Sequence, residues 1–250
     1  MMNASDATLR DQASGLRQLF HAPVLTTHLI TCPARAALAL PLTQRISAEL
    51  SEAGLTVAWI DEIDLSAREH WQLPATLRFD VGQALEGHVD LSDAMVALNP
   101  KLFYGLSCKT RKIGALGRSL QDRLLNSGVA FDAVLVAAHP QVKPSRYAAK
   151  VRHVLLTPAD TTGLQHTLRW MLRVHREKAI SASWGVILAG DESQVAPARE
   201  WLSQQAEPEL AQSIEVIGVT AADAMHAPLS RSWFLQPDLL QALQHHLLKP

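Results

Sequence analysis

The chain has 250 residues, of which 48% are hydrophobic and 19% charged, and its formal net charge at pH 7 is −1. This length accommodates one large α/β domain with a buried core. The near-neutral charge excludes a general electrostatic attraction to nucleic acid or to an anionic membrane, although it leaves room for a local patch. Two cysteines, Cys32 and Cys108, are too few for a disulfide framework and lack metal-ligand spacing, so reduced thiols and no metal are expected.

Residues 1–22 are predicted to form an amphipathic helix ahead of the rest of the chain. Asp6 is a candidate N-cap and Pro23 prevents simple continuation. The apolar residues recur at helical spacing, at Leu9, Ala13, Leu16, Leu19 and Phe20. Such a helix covers either its own domain or another protein, and the pattern alone leaves both open.

No segment predicts export or membrane insertion. The first 20 residues are polar and lack the apolar core and cleavage site of a secretory leader. No apolar run approaches the roughly 20 residues that cross a bilayer as a helix. We therefore expect a soluble, cytoplasmic protein.

From residue 23 to residue 250, short apolar runs alternate with longer amphipathic stretches. The runs predict strands, several of them apolar almost throughout, as strands covered on both faces must be: Val24–Thr31, Leu55–Asp61, Leu102–Leu106, Asp132–Ala138, Val151–Thr157, Trp184–Gly190 and Ile214–Val219. The intervening stretches predict helices at Ala36–Ala53, Arg118–Ser127, Thr161–Lys178 and Gln194–Gln205. Their lengths suit the crossovers that parallel strands require. We predict a three-layer α/β fold, a mostly parallel sheet of about seven strands with helices on both faces.

The segment from Asp11 to Leu19 reads DQASGLRQL. It resembles the DQAxxLR segment at the N-terminus of the FlhG/FleN (YlxH) proteins, MinD/ParA-type P-loop proteins that regulate the number and placement of bacterial flagella. In that family the segment contacts the signal-recognition-type GTPase FlhF and stimulates its GTP hydrolysis. The resemblance implies a MinD-like body, and an FlhF-like GTPase or another flagellar regulator as the partner of Asp11, Gln12, Ala13, Leu16 and Arg17.

The loop after the first predicted strand departs from the pattern of active MinD-like ATPases. Those proteins have a phosphate loop of the form KGGVGKT, whose glycines admit the phosphate and whose lysines and hydroxyl group hold phosphate and magnesium. Residues 31–40 of this chain read TCPARAALAL, which places Ala34 and Ala39 at the two lysine positions and Leu40 at the hydroxyl position. No glycine occurs between Thr31 and Leu50.

These substitutions remove separate parts of nucleotide binding, so we predict a pseudo-ATPase without a nucleotide cofactor. Side chains obstruct the phosphate cradle, and Pro33 lacks an amide donor. The missing lysines would have stabilised the phosphoryl charge during transfer. Arg35 is the one cation within residues 31–40, and a hydrolase that uses it in an unusual phosphate site is the alternative.

Two further motifs of the family correspond to segments of this chain that differ from the family pattern or lack its context. Asp61, with Asp64 nearby, matches the aspartate that orients the attacking water or the magnesium shell, but without a phosphate site we expect a solvated loop or a helix cap. Where the family has a D-x-x-G switch, residues 137–141 read AAHPQ, so both the carboxylate and the glycine are absent. For His139 we expect a structural or exposed role.

The C-terminal segment Leu235–Leu248 carries an apolar stripe at helical spacing. MinD and its FlhG relatives use a C-terminal amphipathic helix for reversible membrane association, but Lys249 is the only lysine or arginine near this end, whereas surface helices have a more basic face. Docking onto the domain is therefore expected, with membrane contact as the alternative. His245 and His246 are adjacent and point in different directions on a helix, which does not indicate a zinc site.

The leading functional hypothesis is a non-catalytic regulator of flagellar number, placement or gene expression that acts through protein contacts, with FlhF as partner. The alternatives are a MinD/ParA-like adaptor of another polar or surface machine, and an atypical nucleotide hydrolase. In active relatives ATP bridges a face-to-face dimer. Loss of the phosphate loop argues against a switched dimer and leaves a constitutive one open. No nucleic-acid partner is expected.

Overall fold

The computed structural model describes residues 25–63, 77–107, 120–141, 150–176, 181–221 and 237–248. The residues that the resemblance assigns to partner binding lie outside this set, as do Asp64 and Cys108: Asp11, Gln12, Ala13, Leu16 and Arg17. The described residues contain one sheet of eight strands: β1 (Thr26–Thr31), β2 (Val57–Asp61), β3 (Met95–Asn99), β4 (Leu102–Leu106), β5 (Ala133–Ala137), β6 (Lys150–Pro158), β7 (Ser181–Ala189) and β8 (Ile214–Thr220).

The strands lie in the order β3-β4-β2-β5-β1-β6-β7-β8. Every neighbouring pair is parallel except β3 and β4, which are antiparallel. All residues of the central strands β2 and β5 are buried, because both faces of the sheet are covered there. Since β1 lies between β5 and β6, chain segments that are far apart in sequence end beside one another at the same edge of the sheet.

Helices cover both faces of the sheet: α1 (Ala39–Glu52), α2 (Val81–Leu85), α3 (Leu120–Leu125), α4 (Thr161–His175), α5 (Glu192–Trp201), α6 (Glu207–Leu210) and α7 (Pro237–Leu248). A 3-10 turn over Ala36–Leu38 precedes α1, another over Leu91–Asp93 precedes β3, and a π-helix over Leu202–Ala206 joins α5 to α6. One core cluster joins α1 and α7 to one face. Two clusters fill the other face, one beneath α2 and α3 and one beneath α4, α5 and α6.

The predicted three-layer α/β fold is confirmed, with one strand more than the expected seven. The additional strand, β3, is an antiparallel edge strand in which no residue is fully buried and whose pairing with β4 shifts register between Ala97 and Asn99. The other seven were recognised because burial on both faces produces continuous apolar runs. A short edge strand has no such run, so its pairing with β4 decides its structure.

The C-terminal helix α7 docks onto the sheet. Its stripe residues Leu239, Leu243 and Leu247 are buried in the same cluster as α1. This is the arrangement that the docking interpretation expects, and it leaves these leucines unavailable to a membrane in this conformation. Within the described ranges, no helix combines the length and the apolar content needed to span a bilayer.

Two glycines allow α7 to lie close to β7 and β8, and polar contacts of His246 join it to β6 and β8. A Cβ atom at Gly185 would lie 2.7 Å from Nε2 of His246, and one at Gly218 would lie 2.3 Å from Cδ1 of Leu239, so only glycine permits this close approach. His246 is buried; its Nδ1 lies 2.9 Å from Oε2 of Glu215, and its carbonyl accepts a hydrogen bond from Nη1 of Arg152 at 2.7 Å.

Candidate functional site

The segments that follow β1, β2 and β5 meet at the carboxyl ends of these parallel strands. The ladder continues past the ends of these strands, because the amide of Ala138 donates to the carbonyl of Ile30 at 2.9 Å and the amide of Glu62 donates to that of Ala137 at 3.0 Å. Open α/β sheets bind their ligands outside the carboxyl ends of parallel strands. The structure thus brings together the three segments that the sequence matches to a nucleotide site.

The turn after β1 satisfies its own backbone groups. The amide of Arg35 donates to the carbonyl of Cys32 at 3.2 Å, and the amide of Leu38 donates to the carbonyl of Arg35 at 3.0 Å. An anion-binding loop instead directs successive amides at the ligand. Ala34 is exposed at the tip of this turn. Burial raises the pKa of the Cys32 thiol to about 11, so at neutral pH the cysteine is a neutral thiol rather than a nucleophile.

Ala39 and Leu40 lie at the start of α1 and inside the core. Ala39 is 0% exposed and Leu40 1% exposed, and both belong to the cluster that α1 forms with α7 and the sheet. The hydroxyl of Thr43 donates to the carbonyl of Ala39 at 2.6 Å, and no side chain caps the first turn of the helix. The sequence resemblance assigns these two positions to a phosphate-binding lysine and a magnesium-binding hydroxyl, both of which would have to reach the ligand.

The carboxylate of Asp61 is fully buried and accepts a hydrogen bond on each oxygen. Oδ1 accepts from the amide of Ile63 at 2.8 Å, and Oδ2 accepts from the hydroxyl of Tyr104 on β4 at 3.1 Å. The ring of Tyr104 packs against Trp59 with the centroids 4.6 Å apart. The expected solvated loop or helix cap is therefore wrong for Asp61: its carboxylate is buried, closes the turn that begins after β2 and joins β2 to β4.

The loop after β5 is fastened to α4. Nδ1 of His139 accepts from the amide of Gln141 at 3.3 Å, a contact within the loop. The carbonyl of Pro140 accepts from Nε1 of Trp170 at 2.8 Å and also from Nη2 of Arg173. The sequence resemblance places a glycine-containing switch in this loop; the structure shows a proline there, whose carbonyl is bound by two side chains of one helix.

Beside this loop lies a cleft of about 380 Å³, the α4 cleft, lined by Pro33, Pro140, His166, Arg169, Trp170 and Arg173. Its walls come from the turn after β1, the loop after β5 and one face of α4. His166, Arg169 and Arg173 are exposed, whereas Trp170 is buried. The cleft therefore combines apolar walls with an exposed row of basic side chains.

Trp170 is held in place by a buried aromatic cluster. Its ring centroid lies 5.2 Å from that of His153 and 6.0 Å from that of Trp184, both nearly perpendicular, and His153 stacks on Trp184 at 4.7 Å. Burial lowers the pKa of His153 to about 3, so its ring is neutral. Trp170 thus has a fixed orientation at the α4 cleft.

The α4 cleft was not among the sequence-based predictions, which treated Pro33 as a lost amide donor and Pro140 as part of a missing switch. One sequence signal was available: residues 161–176 contain no aspartate or glutamate but three arginines. The contact between Asp61 and Tyr104 joins two strands and has no local sequence signal. Among the described residues, no three His, Cys, Asp or Glu side chains lie close enough to share a metal ion.

Comparison with solved structures finds similar folds among MinD/ParA-type P-loop ATPases. A plasmid partition protein from Borrelia burgdorferi superposes with a TM-score of 0.59 at 11% identity, over 89% of this chain and 99% of that one. The cell division ATPase MinD of Pyrococcus furiosus gives 0.59 at 12% identity, over 88% and 99% of the two chains. MinD of Aquifex aeolicus gives 0.57 at 14% identity, over 90% and 98%. No protein-family model and no curated protein matches the chain. At these identities the likeness shows the fold alone.

Proposed function

We propose that this chain is a non-catalytic positioning or partitioning regulator with a MinD/ParA-type fold, which acts in the cytoplasm through protein contacts and without nucleotide. The observation that carries the proposal is the burial of Ala39 and Leu40 in the apolar core, at the positions where active relatives hold phosphate and magnesium. The self-bonded turn after β1 supports it, because two of its amides already have carbonyl partners.

The proposal predicts that neither ATP nor GTP binds tightly or is hydrolysed. Titration calorimetry of the full chain with each nucleotide and magnesium measures binding, and phosphate release measures turnover. Micromolar, magnesium-dependent binding would refute the proposal. If such binding were lost in Arg35→Ala and kept in Arg45→Ala, the alternative of an atypical hydrolase that uses Arg35 would replace it.

We further propose that the process regulated is the number or placement of flagella and that the partner is an FlhF-like GTPase. The support for this finer assignment is the segment DQASGLR at residues 11–17, with its resemblance to the FlhG/FleN motif. In this hypothesis, apolar residues of the segment are buried on the GTPase, while Gln12 and Arg17 set its orientation. A protein without activity of its own would then change the turnover of its partner.

A double substitution tests the flagellar assignment. Gln12→Ala with Arg17→Ala should reduce stimulation of FlhF GTP turnover, whereas Arg10→Ala with Gln18→Ala, which removes neighbouring polar groups outside the motif, should leave it near the wild-type value. Equal turnover for the wild type and both variants would reject the role. Stimulation that both pairs reduce equally would indicate non-specific binding of the helix instead.

A further inference from the structure

The exposed face of α4 is basic and has no neutralising carboxylate of its own. Residues 161–176 include Arg169, Arg173 and Arg176 together with two histidines, and no acidic residue. Arg169 and Arg173 are four residues apart and His166 is three before Arg169, so all three lie on one side of the helix. In the part of the chain that the structure describes, none of the observed ion pairs involves these side chains.

This basic row borders an open depression in the surface, the α4 cleft. The α4 cleft has a volume of about 380 Å³, within the range of ligand sites, and its apolar walls are Pro33, Pro140 and Trp170. The walls are held rigidly, because Trp170 and Arg173 both donate to the carbonyl of Pro140. A guanidinium has five donors, so Arg173 keeps donors for a ligand after this contact.

We propose that the α4 cleft binds a carboxylate-bearing segment of a partner protein, with Arg169 and Arg173 as its anion-binding residues and Trp170 as the apolar contact. Guanidinium groups bind carboxylates through paired hydrogen bonds, and the neighbouring apolar walls accept the side chain beside the acid. Tryptophan and arginine are also the residues that dominate binding energy at protein interfaces.

The charge pattern argues against nucleic acid and against free phosphate as the occupant. A nucleic-acid surface neutralises about 6–10 phosphates, far more than the cations of one short helix face can reach. Guanidinium groups also bind phosphate, but the phosphate sites of nucleotide-binding loops add backbone amides at a glycine-rich turn or a helix N-terminus. Here the described lining consists of proline, tryptophan, histidine and arginine, and the nearest turn directs two of its amides at its own carbonyls.

The inference is independent of the flagellar assignment, since it concerns the folded body and not residues 11–17. The test screens the intact chain against an immobilised array of random octapeptides and then measures solution affinity for the best binders by fluorescence anisotropy. We expect the binders to be enriched in glutamate or aspartate next to an apolar residue. Replacing their acids by the matching amides should weaken binding by about tenfold or more.

Charge reversal on α4 locates the binding site. Arg169→Glu should weaken the best binder by about tenfold or more, and Arg169→Lys should retain part of the affinity. Arg176→Glu is the matched control, because it reverses an exposed arginine of the same helix that does not line the cleft, and it should change the affinity by less than about twofold. Unchanged thermal melts of all three variants confirm that the fold is intact.

Several outcomes would overturn the proposal. They are the absence of any octapeptide that binds with a Kd below about 1 mM, binders without enrichment in acidic residues, and equal losses of affinity for Arg169→Glu and Arg176→Glu. Competition by inorganic phosphate or pyrophosphate at concentrations as low as those of the peptide would assign the cleft to a small anion instead. Stimulation of FlhF is measured on the same variants, so failure here and failure of the flagellar assignment are distinguishable.

Discussion

Replacing Ala39 with lysine restores the charge that an active phosphate loop carries, and the structure predicts that this change destabilises the fold without restoring nucleotide binding. Ala39 is 0% exposed, lies in the core cluster between α1 and the sheet, and is followed by Leu40 at 1% exposure. A lysine at this position brings an ammonium group into an apolar region. In the active loop the same group would lie against phosphate.

The size of the effect follows from the cost of burying an unpaired cation. Full burial lowers a lysine pKa by roughly 3–5 units, and at about 1.4 kcal/mol per unit the penalty is about 4–7 kcal/mol. A flexible stem lets the ammonium move part of the way to water, which reduces the expected loss to about 3–5 kcal/mol. Domains of this kind are stable by about 5–15 kcal/mol, so Ala39→Lys removes a large share of the total.

Urea denaturation of the wild type, Ala39→Lys and Ala39→Met measures the loss and separates charge from volume. Methionine adds a side chain of similar length without charge, and overpacking alone costs about 1–3 kcal/mol. The difference between the two variants should shrink as the pH is raised toward 10, because the buried lysine has a lowered pKa and the penalty vanishes once the unfolded chain also loses its proton.

The reasoning is refuted if Ala39→Lys is as stable as Ala39→Met near neutral pH. A gain of magnesium-dependent ATP binding by this single variant would be more serious. It would mean that the turn after β1 can still form a phosphate cradle despite its proline and its lack of glycine.

Three other perturbations test separate parts of the structure. Burial lowers the pKa of both His28 and His153 from 6.5 to about 3, with Arg152 and His246 adding to the effect at His28. As the pH is lowered below 6.5, the unfolded chain takes up these two protons while the folded chain does not. The free energy of unfolding should therefore decrease by about 3 kcal/mol for each pH unit, summed over both histidines. His153→Phe should halve this slope in urea titrations. Gly185→Ala puts a Cβ 2.3 Å from Cδ1 of Ile217 and 2.7 Å from His246 Nε2, so it should lower the unfolding free energy measured in urea by about 1–3 kcal/mol; an unchanged free energy would contradict the close approach of α7 to β7. Asp61→Ala should cost about 2–5 kcal/mol because it removes the carboxylate that accepts from the Tyr104 hydroxyl and the Ile63 amide. Its combination with Tyr104→Phe should cost less than the sum of the two; additive losses would contradict the assigned hydrogen bond.

Much of the fold could be predicted because it depends on local pattern. Strands covered on both faces must be apolar throughout, and the run Leu102–Leu106 was predicted with the bounds that β4 has in the structure. Helix α4 begins at Thr161 as predicted, after Asp160, whose side chain accepts from the amide of Gly163 at 2.8 Å. The strand that the sequence did not predict was β3, because an edge strand lacks the continuous apolar run that burial on both faces produces.

The sequence shows directly that residues 32–40, in the loop after β1, contain no glycine, lysine, serine or threonine, and the consequence for nucleotide binding stays a prediction. That Ala39 and Leu40 point into the core, and that Asp61 is bonded to Tyr104, became visible in the folded chain alone. Both depend on what α1 and β4 pack against, and packing partners are far away in sequence.

The α4 cleft shows the same division most clearly. The helix over this stretch could be predicted from its amino acids, and residues 161–176 are visibly rich in arginine and free of acids. The sequence could not show that Pro33, Pro140 and Trp170 line one cleft, because more than a hundred residues separate the first of them from the last. They meet because β1 lies between β5 and β6 in a parallel sheet, which carries the segments after β1 and β5 to the face that α4 covers.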